Sequence, residues 1–217
     1  MIGSLAAVLV VVGIIMVTNL PGSDVSDDAW QPIERTLVDG RVEGDSAAPV
    51  RIIEFADFQC PFCRDFALNV APTILEEYVE TGQASVEYRY FSFLGPESFA
   101  AAEAAECAND QGYFWDYHDV LFLRQGAENR GAFSTGNLKD FAREVHDEYD
   151  DFDLDEFDQC VDSGRHESLV EQMRDEASAL GVNSTPSFLI NGQPFGNTSD
   201  PQIFRNAIDA ALAAASS

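Results

Sequence analysis

The sequence has 217 residues, 46% of them hydrophobic, and a formal net charge of -26 at pH 7. This length suits one domain of ordinary size, or one domain with an insertion, and the hydrophobic content argues against disorder. So acidic a surface repels nucleic acid and anionic lipid headgroups, which excludes both as expected partners.

The balance of basic residues is also unusual, because Lys139 is the only lysine and the other basic residues are arginines. This composition favours an extreme halophile, in which molar salt shortens the Debye length to roughly 3 Å and screens the self-repulsion. An acidic protein with one solvated face is the alternative. The four cysteines are an even number, which is compatible with an oxidising compartment.

The chain begins with an apolar segment. Residues 1–23 contain no charged side chain, and residues 5–17 are all apolar or glycine. A helix over residues 1–20 would reach about 30 Å, which predicts an uncleaved membrane anchor with the rest of the chain on the extracellular side. A signal peptide that is cleaved before secretion is the alternative, although a basic n-region and an Ala-x-Ala-like site are missing. A buried core helix is a third and weaker interpretation.

Residues 21–34 contain Pro, Gly, Ser and Asp and predict a linker. Residues 35–45 then predict a hairpin that turns at Asp39-Gly40. The next predicted elements are a strand at 50–56, a helix at 60–80 kinked at Pro72, and a strand at 85–91.

From residue 97 to residue 180 the pattern is helical only. One of these helices has Asp155 as its predicted N-cap, and the last of them ends at Gly181. Residues 187–190 again predict a strand, and Asn191-Gly192 predicts a hairpin turn. Asp200-Pro201 then caps a final helix.

Cys60-Pro61-Phe62-Cys63 lies where the strand at 50–56 passes into the first helix. Unpaired backbone N–H groups and the positive end of the helix dipole at this place stabilise a thiolate. Two such cysteines can also hold a metal or remain inert, but a low-pKa thiol beside a second thiol is what disulfide exchange needs. The sequence therefore places the candidate functional site at this junction.

The order of elements, with Cys-x-x-Cys opening the first helix, is that of the thioredoxin fold. Over roughly residues 36–215 the sequence more closely resembles the DsbA-like thiol:disulfide oxidoreductases. The resemblance rests on four segments, at 57–63, 111–118, 181–188 and 191–192.

The resemblance implies an α/β fold built as a thioredoxin-like domain with an all-helical insertion. The thioredoxin-like domain is expected in residues 35–95 and 179–217, and the inserted helical domain in residues 96–178.

The same resemblance implies a role for several residues. Cys60 is expected to be the nucleophile, more exposed than its partner, and Cys63 the buried thiol that resolves mixed disulfides. Pro186 is expected to be a cis-proline facing the disulfide. The backbone of Thr185 would then pair with an extended substrate peptide.

Further roles follow for three neighbouring residues. Glu54 lies in the preceding strand, where related proteins place a buried acid; a raised pKa would let it accept the proton as Cys63 attacks. An exposed strand residue is the alternative for Glu54. Pro61 and Phe62 are expected to contact substrate, and Phe62 offers no charge or hydrogen bond to a thiolate, which predicts a milder oxidant than a Cys-Pro-His-Cys protein.

The second cysteine pair, Cys107 and Cys160, falls on two helices of the insertion. The resemblance and the expected compartment imply a structural disulfide, with two buried free thiols as the alternative. No metal and no cofactor are expected, and His118, His146 and His166 show no ligand spacing. Asn197-Thr198-Ser199 is a glycosylation sequon on a predicted surface turn.

The function predicted from this resemblance is a monomeric, exported thiol:disulfide oxidoreductase that introduces disulfides into other exported proteins. Its substrates would be reduced exported proteins or peptides, and a DsbB-like or VKOR-like membrane partner would reoxidise it. The alternatives are a disulfide isomerase or reductase of the same fold, and a non-catalytic binding or chaperone module.

Overall fold

The computed structural model describes residues 30–196 and 200–216. Within these ranges no helix is both long and apolar enough to cross a membrane. The predicted anchor in residues 1–20, most of the predicted linker and the sequon at Asn197 lie outside the described residues.

The described residues form strands and helices in the order that the sequence predicts. The strands are β1 (Val38–Asp39), β2 (Val42–Glu43), β3 (Val50–Ala56), β4 (Ala84–Tyr90), β5 (Ser187–Ile190) and β6 (Gln193–Phe195). The helices are α1 (Pro61–Asn69), α2 (Ala71–Ile74), α3 (Pro96–Asn109), α4 (Phe114–Leu123), α5 (Thr135–Glu148), α6 (Leu154–Ser163), α7 (Glu167–Ala179) and α8 (Pro201–Ala215). A π-helical turn, Leu75–Val79, extends α2.

The strands form one sheet in the order β1-β2-β4-β3-β5-β6. The pair β3–β4 is parallel and the other pairs are antiparallel. Successive residues of β3 point to opposite faces. Ile52 belongs to the main core on one face, while Phe55 packs with Phe91 and Ala177 on the other. Because both faces are covered, the end of β3 that leads to α1 is buried.

The helices α3 to α7 lie between β4 and β5 in the chain. Alanine-rich α3 is buried and contacts α4, α6 and α7. Cys107 of α3 and Cys160 of α6 form a disulfide that closes a loop across a sequence separation of 53 residues, so the alternative of two free thiols does not hold. The disulfide joins two helices that the sheet does not hold together.

Local details differ from the sequence prediction at three places. The first hairpin turns at Gly40-Arg41, one residue later than predicted. The first helix breaks at Val70, before Pro72, because the proline lacks an N–H and its ring clashes with a carbonyl in the preceding turn.

The third difference is the N-cap of α6, which is Asp153 rather than Asp155. The Asp153 side chain accepts a hydrogen bond from the backbone N–H of Glu156 at 3.0 Å. Asp155 lies in the first turn instead, where a negative charge is favourable.

Candidate active site

The turn between β3 and α1 is fixed by a buried carboxylate. Asp57 accepts hydrogen bonds from the backbone N–H of Gln59 at 2.8 Å, of Phe93 at 3.0 Å and of Leu94 at 3.1 Å. Asp57 therefore ties the active-site turn to the segment that follows β4. Its position before Cys60 was visible in the sequence, but its three partners depend on the folded chain.

Cys60 is the N-cap residue of α1 and Pro61 follows at the first helical position. Both thiols of the Cys-x-x-Cys segment are reduced and buried, Cys60 at 4% exposure and Cys63 at 0%. Phe62 between them is 62% exposed. The segment thus exposes an aromatic side chain to the solvent, while both cysteines are buried.

The loop before β5 closes over the first thiol. The Thr185-Pro186 peptide bond is cis. The Cys60 thiol donates a hydrogen bond to the Thr185 carbonyl oxygen across 3.3 Å. The predicted site residues Cys60, Cys63, Thr185 and Pro186 therefore come together at one end of the sheet.

The two thiols have very different acidities. A hydrogen bond from the Cys63 side chain is the largest cause that lowers the pKa of Cys60 to about 6. Hydrogen bonds from the Thr185 side chain and from the backbone N–H groups of Cys63 and Phe62 also lower it, and burial opposes them. Burial, together with the neighbouring Cys60 sulfur, raises the pKa of Cys63 well above its usual value. Near neutral pH the pair holds one thiolate and one thiol.

Glu54 lies beneath this pair and is 4% exposed, so it is not the exposed strand residue of the alternative interpretation. It pairs in register with Tyr88 of β4 and Phe188 of β5. Burial, and then the charge of Cys60, raises the pKa of Glu54 to about 8. A carboxyl group of this kind is protonated at neutral pH and can give a proton to a nearby thiolate.

Two glutamines from different segments hold the active-site turn, and neither was predicted. The Gln125 side-chain amide donates to the carbonyl oxygens of Phe58 at 2.6 Å and of Cys60 at 3.0 Å. The Gln59 side chain donates to the Ser98 hydroxyl at 2.9 Å and accepts from the backbone N–H of Asn129 at 2.6 Å. Gln125 and Asn129 follow α4, so only the folded chain shows that Gln125 reaches Cys60 and that Asn129 reaches Gln59.

The remaining predicted residues lie apart from this cluster or behind it. Cys107 and Cys160 form the disulfide between α3 and α6. His118 is buried under the aromatic side chains of Phe58 and Tyr88, and its Nδ1 lies 2.9 Å from an oxygen of Asp119. Burial lowers the pKa of His118, so this ring is neutral and structural.

Comparison with known families assigns this architecture to a class. Residues 36–210 match the family model described as Thioredoxin. Because the match spans most of the sequence, the chain belongs to the thioredoxin family. The DsbA structure of Mtb has the same fold, with a TM-score of 0.61 and 25% identity over 82% of this chain and 100% of that chain.

Individual relatives indicate a more specific class of protein within this family. "Probable disulfide bond formation protein D" of Bacillus anthracis is 30% identical over 173 residues, which are 78% of this chain and 76% of that protein. The crystal structure of oxidised BdbD from Bacillus subtilis gives a TM-score of 0.73 at 26% identity and covers 80% of this chain and 93% of that chain. The protein is a DsbA-like thiol:disulfide oxidoreductase.

The similarity extends to part of a larger protein. "Na(+)/H(+) antiporter NhaA 3" of Salinispora tropica is 32% identical over 176 residues, which are 80% of this chain and 25% of that protein.

Proposed function

We propose that this protein oxidises dithiols of other exported proteins through Cys60 and Cys63. The observation that carries the proposal is the lowered pKa of Cys60, about 6. A stabilised Cys60 thiolate favours the reduced form of the pair, and a pair with a stabilised reduced form tends to oxidise other thiols.

The reaction begins with the Cys60–Cys63 disulfide. A substrate thiolate attacks Sγ of Cys60, a new sulfur–sulfur bond forms, and the Cys60–Cys63 bond breaks. The electron pair stays on Sγ of Cys63, which takes a proton because its pKa is high. Glu54 is the proton donor in this proposal, since it is buried beside the pair with a pKa of about 8.

The second step releases the product. A second substrate thiolate attacks the substrate sulfur of the mixed disulfide, and Cys60 leaves as a thiolate. Two electrons have then passed from the substrate to the Cys60/Cys63 pair. A membrane-bound oxidant of the DsbB-like or VKOR-like kind would take them up and restore the disulfide.

Substrate would bind over the exposed ring of Phe62 and next to Pro61. The Thr185 backbone would pair with an extended peptide, which is favoured by the position of its carbonyl oxygen, 3.3 Å from Sγ of Cys60. In this proposal residues 35–95 and 179–217 supply the reactive pair, and residues 96–178 form the inserted domain that supports it through Gln125.

The reduction potential of Cys60/Cys63, equilibrated against glutathione in molar salt, tests the direction. We expect a value near or above about -180 mV, as for oxidants and isomerases. A value near about -270 mV would show a reductase and overturn the proposal. Oxidised protein that fails to form disulfides in a reduced peptide would instead favour a non-catalytic binding module.

Placement and salt dependence belong to the same proposal. An anchor in residues 1–20 would hold the chain at the membrane with its site outside the cell; secretion after cleavage of this segment is the competing outcome, and the mass of the cell-associated protein distinguishes them. The net charge of -26 supports a halophilic origin. Unfolding on transfer from molar to low salt is expected, and full stability there would refute it.

A further inference from the structure

A cavity of about 40 Å³ lies between the sheet and the helices α1 and α2. Its walls are largely apolar, yet five ionisable side chains line it: Arg35, Glu43, Glu54, His118 and Asp119. A cavity of more than roughly 15 Å³ can hold water when polar groups face it. This cavity is therefore large enough, and polar enough, for water.

Glu43 and Glu54 point into it from the same face of the sheet. Glu43 pairs with Val86 of β4, and Val86 pairs with Ile52 of β3. Glu54 is two residues beyond Ile52 and so shares its face. Strand spacing places the Cα atoms of the two glutamates roughly 12 Å apart. Both side chains line the same cavity, so water inside it is the route that would connect them.

Each glutamate has a buried oxygen that needs a partner. Oε1 of Glu54 and Oε2 of Glu43 have no hydrogen-bond partner among the residues that the structure describes. Leaving such a buried atom unsatisfied is unfavourable, and a hydrogen bond from water in the cavity would satisfy it. The cavity also approaches the surface, since Ile33 in its wall is 42% exposed.

Ion pairs hold Glu43 in place at the outer part of the cavity. Its Oε1 lies 3.0 Å from Nε of Arg35, and Nη2 of Arg35 lies 2.8 Å from Oδ2 of Asp119. The other oxygen of Asp119 lies 2.9 Å from Nδ1 of His118. The network engages one oxygen of Glu43 and leaves the other without a hydrogen-bond partner among the described residues.

We propose that water in this cavity passes protons between Glu54 and Glu43, and that Glu43 exchanges them with the solvent. The proposal rests on the oxidase function proposed above. When the Cys60–Cys63 bond breaks, the proton on Glu54 moves to Sγ of Cys63. The carboxylate of Glu54 then receives a proton through the cavity water from Glu43, and Glu43 takes one from the solvent, so no other reactant is needed.

The surrounding charges suit this route. Glu43 is faced by Arg35, by Asp119 of α4 and by Glu80, which follows the π-helical turn. Burial is the main cause that raises the pKa of Glu43 to about 7, and Arg35 opposes it.

At the inner end, Glu54 is faced by Cys60, Cys63 and Tyr88 and has a pKa of about 8. The pKa values of Glu43 and Glu54 are close, so a proton can pass between them without a large loss of free energy.

The test uses three variants of the full-length protein in molar salt. Glu43→Gln removes the acidic group and keeps the shape of the side chain. Ala71→Leu places a larger side chain in the cavity and leaves every carboxylate in place. Glu80→Gln is the matched control, because it removes an exposed negative charge near Glu43 that does not line the cavity. The rate at which dithiothreitol reduces each oxidised protein is measured in single turnovers across neutral pH, in water and in heavy water.

We expect Glu43→Gln and Ala71→Leu each to slow the reaction by about threefold or more and to enlarge the solvent isotope effect. Glu80→Gln should match the unmodified protein, and the reduction potential should be the same in all four. Thermal unfolding checks that each variant folds, and Val86→Ile replaces Ala71→Leu if that variant does not.

Three results would overturn the relay. The first is unchanged rates in both cavity variants. The second is a slow Glu43→Gln beside a normal Ala71→Leu, which would show that Glu43 acts through its charge. The third is a shifted reduction potential in Glu43→Gln. In each case the unmodified protein still oxidises a reduced peptide, whereas failure of the oxidase proposal would remove that activity from the unmodified protein itself.

Discussion

The chain contains two pairs of cysteines in opposite chemical states. Cys60 and Cys63 are reduced thiols at the start of a helix, and Cys107 and Cys160 are joined between two helices. All four are at least 96% buried, so burial does not separate them. What separates them is the surroundings of the sulfur atoms.

At the first pair, hydrogen bonds from Cys63, Thr185 and two backbone N–H groups stabilise negative charge on Cys60. Such stabilisation makes a good leaving group and a labile disulfide. Cys107 lies near the end of α3 among buried alanines, and Cys160 lies in the last turns of α6. A disulfide between two helices constrains the chain, and it lacks the helix N-terminus that activates a thiol.

The largest effect expected is loss of activity when the first pair is broken. Cys60→Ser should abolish oxidation of a reduced peptide, because the attacked sulfur is gone. Cys107→Ala/Cys160→Ala should retain the activity at a temperature where the variant is folded. The measurement is the rate of disulfide formation in the peptide. Loss of activity in the folded double variant would show that both pairs take part in exchange.

The second effect is on stability and concerns the other pair. Cys107→Ala/Cys160→Ala should lower the free energy of unfolding by about 4 kcal/mol, because the loop across a separation of 53 residues is no longer closed in the unfolded chain. Chemical denaturation in molar salt measures the change. Cys60→Ser serves as the control and should unfold close to the unmodified reduced protein. Equal losses in both variants would contradict the division into reactive and structural pairs.

The sequence could predict those features of the fold that depend on local patterns. The strand at 50–56, the Asn191-Gly192 turn and the Asp200 cap are confirmed in the structure, because each depends on residues close in the chain. The Asp155 cap was wrong, because several acidic residues lie together there and local pattern does not say which one faces the helix.

The supports of the active site could not be predicted in the same way. Gln125 reaches the carbonyl of Cys60 over a sequence separation of 65, and nothing in its neighbourhood marks it. Glu43 looked like an ordinary hairpin residue until the sheet placed it on the same face as Glu54. Both roles arise from the packing of distant segments, which short patterns do not encode.

The third prediction concerns the cost of keeping an acid beneath the reactive pair. The pKa of Glu54 is raised from 4.5 to about 8 in the folded protein. A group with a raised folded-state pKa stabilises fully below its unfolded pKa, and this stability is lost as pH rises through the folded value. The reduced protein should therefore lose about 3 kcal/mol through this group between about pH 5 and pH 8.

Glu54→Gln should remove that loss and flatten the dependence of stability on pH. Denaturant unfolding of the reduced protein at several pH values measures it, with exposed Glu76→Gln as the control. A pH dependence in Glu54→Gln as steep as in the unmodified protein would show that Glu54 ionises as freely in the folded chain as in the unfolded one.

The smallest expected effect tests which neighbouring group lowers the pKa of Cys60 the most. The Cys63 side chain is the largest cause of the lowered pKa of Cys60. Cys63→Ala should therefore raise the pKa of Cys60 by about one unit or more, toward the usual value for a free thiol. Thiolate absorbance during a pH titration measures this, and it isolates Cys60 because the two cysteines in the disulfide do not titrate.

Thr185→Ala is the companion variant. It removes the Thr185 side-chain hydrogen bond and keeps the backbone carbonyl, and it should raise the pKa of Cys60 by less, since this hydrogen bond ranks below that from Cys63. The order of the two pKa shifts shows which residue activates Cys60. If Thr185→Ala has the greater effect, the loop before β5 activates the nucleophile, and Cys63 serves only to resolve the mixed disulfide. If Cys63→Ala has the greater effect, each thiol of the first pair sets the reactivity of the other, which a structural disulfide cannot do.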